Sequence, residues 1–181
     1  MPDSLPGGEP LAGLVPEAWR KMETTAADEE STALVVVKDG RIVAERYAKG
    51  YDGKPLVAMS ASKSMVSMAV GCLVAEGKLT LDTRIASLFP EWKGTPKEAV
   101  TVRHLLNHTS GLDQTRRSGT KTIREHALAS PLVFTPGQRF QYNNNAVDFL
   151  AVVVKEASGQ PLDEYLEARL FRKLNIQGAW W

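Results

Sequence analysis

Met59-Ser60-Ala61-Ser62-Lys63-Ser64-Met65 opens an apolar run that ends at Gly77. From Ala61 to Glu76 the residues are mostly Ala, Val, Met, Leu and Cys, with apolar side chains on nearly every face. That pattern predicts a helix buried on most sides. Ser60 stands at its start, where serine is a favoured cap and where backbone N–H groups lack partners. Lys63 follows three residues later and shares its face. A lysine at the mouth of an apolar helix is expected to lose solvation, which favours the neutral, proton-accepting form. Ser60 beside it is a candidate nucleophile, and the free N–H groups are candidate oxyanion donors. The competing reading of the same residues is a capping serine with a surface lysine. Ser118-Gly119-Thr120-Lys121 has the same spacing, but it lies in the polar stretch Gln114 to Thr122 with no apolar helix behind it. Context therefore selects Ser60.

Composition narrows the classes. A chain of 181 residues, 43% hydrophobic and 24% charged, reads as one ordinary globular domain. The formal net charge is +1 with no basic block, which argues against nucleic acid as a partner. The single Cys72 excludes an internal disulfide, and its place in the apolar helix points to packing. No apolar run reaches the roughly 20 residues needed to span a bilayer. Met1 to Glu9 carries Pro, Gly and acids where a secretory signal has basic and then apolar residues, so the expected compartment is the cytoplasm.

Around the central helix, Pro16 suits the first turn of a helix running to about Ala27, with Trp19 and Met22 on one face. Thr32 to Val37 is β-branched and apolar, as for a strand buried on both faces. Asp39-Gly40 is a two-residue hairpin turn, and Arg41 to Ala48 returns as a second strand. After Gly77, short helices are expected at Asp82 to Leu88, at Val102 to Leu106 with Thr101 as cap, and at Thr122 to Ala129. Asn145 to Ala157 and Pro161 to Phe171 have the spacing of longer packed helices. One hairpin followed by so many helices is unbalanced, because two strands alone make a poor sheet.

Two further stretches carry chemistry. In Tyr142-Asn143-Asn144 a tyrosine hydroxyl can shuttle protons with a lysine, and an asparagine can bind a substrate amide or that lysine. The plainer reading is a half-buried aromatic beside loop asparagines. Leu105-Leu106-Asn107-His108-Thr109-Ser110-Gly111-Leu112 reads as a helix end running into a tight turn, with a structural role. His104 and His108 stand at i, i+4, but two histidines with no glutamate between them make an incomplete metal site. His126, on a helix expected to be exposed, reads as a surface residue.

Taken in this order, the residues resemble the serine β-lactamase and penicillin-binding-protein superfamily, in its class C-like branch of β-lactamases, esterases, D-amino-acid peptidases and amide hydrolases. The likeness rests on Ser60 to Lys63, Gly77 to Asp82, His104 to Leu112, and Phe140 to Asn144 with Ala157 to Leu162. It implies an α+β fold of β-lactamase/transpeptidase type, here incomplete. Residues 1–58 would form an N-terminal helix and the first two strands, 59–77 the nucleophile-bearing helix, and 78–181 a helical lobe cut before the remaining strands. The resemblance also implies Ser60 as acylated nucleophile, Lys63 as its general base or proton partner, Tyr142 as a second proton carrier and Asn144 as substrate or lysine anchor. No cofactor or metal is implied.

The substrate would be a small ester, amide or lactam. The family's third element, Lys-Thr-Gly or His-x-Gly on a downstream strand, has no match after Tyr142, while Lys38-Asp39-Gly40 fits only the hairpin turn. A C-terminal complement, or self-association through the open sheet, is therefore expected. The alternative is a non-catalytic fragment or binding module that retains the helical lobe.

Overall fold

The computed structural model describes residues 15–51, 53–115 and 119–179. Ser118 of the second serine–lysine pair lies outside the described residues. The chain divides between Val57 and Ala58 into two compact units.

In the first unit, helix α1 (Pro16–Asp28) buries Trp19 and Ala26, seven residues apart and so on one helical face. Strands β1 (Ala33–Lys38) and β2 (Arg41–Tyr47) pair antiparallel, with a bulge between Val36 and Val37. Asp39 and Gly40 both have positive φ, the geometry of a two-residue hairpin turn. An ion pair of 2.8 Å joins Arg46 on β2 to Glu23 on α1. The expectation that β1 is buried on both faces is not met. Val35 and Val37 are exposed, because β1 has β2 as its only ladder partner among the described residues.

The second unit holds the main core. Helix α2 (Ser62–Ala75) occupies the expected stretch but buries one face, through Val66, Ala69, Val70 and Leu73. Its other side, including Ser67, Met68, Gly71 and Val74, is exposed, so the reading of a helix buried on most sides is corrected. Cys72 is half-buried and packs against the core. Where a helix was expected over Asp82 to Leu88 there is only a 3₁₀ turn, Ile85–Ser87. Arg84 forms an antiparallel bridge with Thr101, and that long-range pairing takes the backbone a local helix would need.

Helix α3 (Val102–Leu106) is capped by Thr101, and α4 (Ile123–Ala129) by Thr122. Both caps are boxes in which the cap hydroxyl and the third side chain exchange bonds with the backbone. His126 on α4 is half-buried rather than a surface residue. Helix α5 (Asn144–Ser158) is the hub and packs against α2, α3, α4 and α6 (Leu162–Leu166). Its Phe149 ring meets Phe89 at 4.9 Å and Trp92 at 5.5 Å between centroids, and all three are fully buried. Each such side chain stabilises the unit by about 1.5–3 kcal/mol. A π-helical turn, Glu167–Phe171, follows α6.

Gly111 fixes the loop after α3. Its φ is +75°, and a Cβ there would lie 2.1 Å from the Phe134 carbonyl oxygen, so only glycine fits.

Candidate active site

Packing of α2 on α5 brings together the starts of both helices, and with them Ser60, Lys63 and Tyr142. Ser60 lies in a 3₁₀ turn, Met59–Ala61, that runs into α2. It does not cap the helix. The local bond is made instead by Ser62, whose Oγ donates to the Met59 carbonyl at 2.6 Å. That leaves the Ser60 hydroxyl free to face outward. Met59 holds φ of 46°, a left-handed conformation that costs a non-glycine residue about 1 kcal/mol or more. The strain sits directly before the candidate nucleophile.

Lys63 Nζ donates to Ser60 Oγ at 3.1 Å. On the other side, Ser60 Oγ and the Tyr142 hydroxyl are 2.8 Å apart. Lys63 Nζ also lies 5.3 Å from the centre of the Tyr142 ring. The Ser60 hydroxyl, and after it the Lys63 side chain, hold the Tyr142 phenol below its usual range, because both stabilise a phenolate at that position. The exposed carboxylate of Asp148 acts in the opposite direction.

Tyr142 is placed by the residue after it. Asn143 is buried; its Oδ1 accepts from the Ala146 N–H at 3.2 Å and so caps α5. Its Nδ2 donates to the Leu112 carbonyl at 2.7 Å and to Asp113 O at 3.4 Å, tying the start of α5 to the loop after α3. Asn144, the expected anchor, is exposed at the first turn of α5. It lines a cavity of about 710 Å³ together with Tyr142, Asn145, Asp148, Gln114 and His126. A second cavity, about 340 Å³, lies beside Lys63 and includes Ser67, Asn107 and His108.

The two histidines of the i, i+4 pair are engaged separately. His104 Nδ1 accepts the Thr101 N–H at 3.2 Å, while His108 Nδ1 accepts the Asn143 N–H at 3.0 Å. The His108 ring stacks on Tyr142 at 4.6 Å and 24°. Burial, and then the Lys63 charge, push the His108 imidazole below its usual range. Asn143 and His108 were not legible as site residues, since each is defined by a partner more than 30 residues away.

Residues 19–181 match the Beta-lactamase family. The chain belongs to that family. Its curated relatives include an N-acetylmuramyl-L-alanine amidase of Bacillus subtilis (strain 168), 29% identical over 84% of this chain and 42% of the relative. They also include the esterase EstB of Burkholderia gladioli, 33% identical over 65% of this chain and 36% of the relative. The chain thus spans less than half the length of these relatives.

Solved β-lactamase-family folds overlie it as well. The octameric penicillin-binding protein homologue from Pyrococcus abyssi has a TM-score of 0.69 at 23% identity, over 89% of this chain and 43% of that one. The penicillin binding protein from Bacillus halodurans has 0.66 at 23%, over 86% and 56%. At these identities the likeness shows the α+β fold alone. No helix of the described residues is long and apolar enough to cross a membrane.

Proposed function

We propose that the complete protein is a serine hydrolase that works through an acyl-enzyme on an ester, amide or β-lactam bond. The observation that supports this is Ser60 Oγ held between Lys63 Nζ at 3.1 Å and the Tyr142 hydroxyl at 2.8 Å. Ser60 Oγ bonds to the substrate carbonyl carbon while its proton passes to Lys63 or Tyr142. The carbonyl pair moves onto oxygen; the Ala61 and Ser62 N–H groups at the start of α2 already donate to the Ala58 and Met59 carbonyls, so they are not free to receive it, contrary to the expectation from sequence. Collapse breaks the bond to the alcohol or amine, which leaves with a proton returned through Tyr142. Water then repeats the sequence on the ester of Ser60 and regenerates the hydroxyl. Asn144, on the cavity wall beside Tyr142, is assigned to the substrate amide or to the lysine. These steps move protons and an acyl group and call on no cofactor.

A completing segment belongs to this reading. The third element that the family resemblance implies has no match after Tyr142, and the chain spans 42% and 36% of two curated relatives. We assign the element to a C-terminal complement, in the same polypeptide or in a second one. Exposed Val35, Val37 and Ile42 on the hairpin, and the octameric state named for the Pyrococcus abyssi homologue, support self-association as the other route.

The test is hydrolysis of a p-nitrophenyl ester, a D-amino-acid anilide and nitrocefin by the complete protein. Ser60→Ala should remove turnover of every substrate that the parent cleaves, with circular dichroism unchanged. Turnover that survives Ser60→Ala would refute the proposal.

A further inference from the structure

The loop after α3 places a histidine where a helix normally ends in glycine or asparagine. The His108 N–H donates to the Leu105 carbonyl at 3.3 Å and the Thr109 N–H to the His104 carbonyl at 2.9 Å. This pair of bonds is the motif that closes a helix with one left-handed residue, and His108 supplies it with φ of 56°. Glycine meets that backbone requirement at no steric cost, so the cap alone does not call for an imidazole.

The ring and the carbonyl both face residues 140–143. The His108 carbonyl accepts the Gln141 N–H at 2.8 Å, and Nδ1 accepts the Asn143 N–H at 3.0 Å. Between those two contacts, the imidazole stacks on Tyr142 at 4.6 Å and meets Phe140 edge-on at 5.7 Å. A ring whose Nδ1 accepts an N–H and which stays neutral carries its proton on Nε2. We propose that His108 is a positioning residue, whose carbonyl and ring hold the 140–143 segment so that the Tyr142 hydroxyl stays on Ser60 Oγ. The proposal rests on Tyr142 carrying a proton in the reaction. Neutrality suits the role, since a second cation beside Lys63 would repel it; burial and the Lys63 charge both disfavour the imidazolium.

The test uses the complete protein and the variants His108→Gly and His108→Asn, both of which suit a left-handed helix end. Phenolate absorbance is titrated in each, and the same titration of the matching Tyr142→Phe variant is subtracted to isolate Tyr142. The groups that face its hydroxyl are Ser60, Lys63 and Asp148, with the His108 ring against its face. A role limited to capping leaves the Tyr142 midpoint where it is. Positioning predicts that the midpoint rises in both variants, with helical circular dichroism retained and fluorophosphonate labelling of Ser60 slowed about tenfold or more.

An unchanged midpoint overturns the proposal, as does loss of folding in both variants, which would make His108 purely structural. A midpoint that rises while Ser60 labels in neither parent nor variant upholds the positioning role and sinks the hydrolase reading instead.

Discussion

The Tyr142 hydroxyl sits 2.8 Å from Ser60 Oγ although 82 residues separate them in the chain. Neither residue is buried, so no core contact of their own holds them there. The distance is set by α2 packing on α5, by Asn143 fastening the start of α5, and by His108 against the Tyr142 ring. Each of these supports can be changed separately.

Lys63→Arg should inactivate the complete protein nearly as fully as Lys63→Ala. Arginine keeps the charge and much of the reach but effectively never releases a proton, so it cannot accept one from Ser60. Single-turnover acylation rates decide this. Substantial acylation in the arginine variant would reduce Lys63 to an electrostatic neighbour.

Tyr142→Phe keeps the ring that stacks on His108 and deletes the hydroxyl. A loss on the order of 10² or more in kcat/KM is expected if that hydroxyl relays a proton. A loss of only a few-fold would return Tyr142 to a packing role.

Stability should carry a signature of His108. Burial and Lys63 hold its folded value below the ordinary 6.5, so the folded chain binds the proton more weakly than the unfolded one. The stability tied to neutral His108 is therefore fully present above pH 6.5 and is lost as pH falls from there through the folded value. Urea midpoints on both sides of that pH, compared between the parent and His108→Asn, isolate the effect from the carboxylates. Identical pH slopes in the two proteins would show that the imidazole is not coupled to folding.

The adjacent asparagines should part company. Asn143→Ala removes the α5 cap and the bond to the Leu112 carbonyl from a buried site, a loss of about 2–4 kcal/mol. Exposed Asn144→Ala should stay within about 0.5 kcal/mol of the parent. Denaturation of the two variants side by side checks this, and equal losses would mean that the roles have been misassigned.

Much of this was legible where the signal is local. The apolar run behind Ser60, the apolar spacing of Asn145 to Ala157, the cap Thr101 and the stretch Thr122 to Ala129 lead to α2, α5, α3 and α4 at nearly the observed bounds, although Thr122 proves to be the cap of α4 and not its first residue. Most of what failed was decided at a distance, the Ser60 cap being the local exception. The helix expected over Asp82 to Leu88 yields to the bridge between Arg84 and Thr101. Ser60 looks like a cap in sequence, but the turn at Met59 starts α2 two residues later, with no side-chain cap, and passes the local serine bond to Ser62. His108 looks like a turn residue in sequence, because nothing in Leu105 to Leu112 reveals that the ring will meet Tyr142.

The central claim is that Ser60 is the activated nucleophile. Its most direct test is peptide mapping by mass spectrometry after treatment of the complete protein with a fluorophosphonate. The account predicts one adduct, on the Ser60 peptide, abolished by Ser60→Ala and strongly reduced by Lys63→Arg. An adduct on Ser118 or another serine, or labelling that persists in Ser60→Ala, would contradict it.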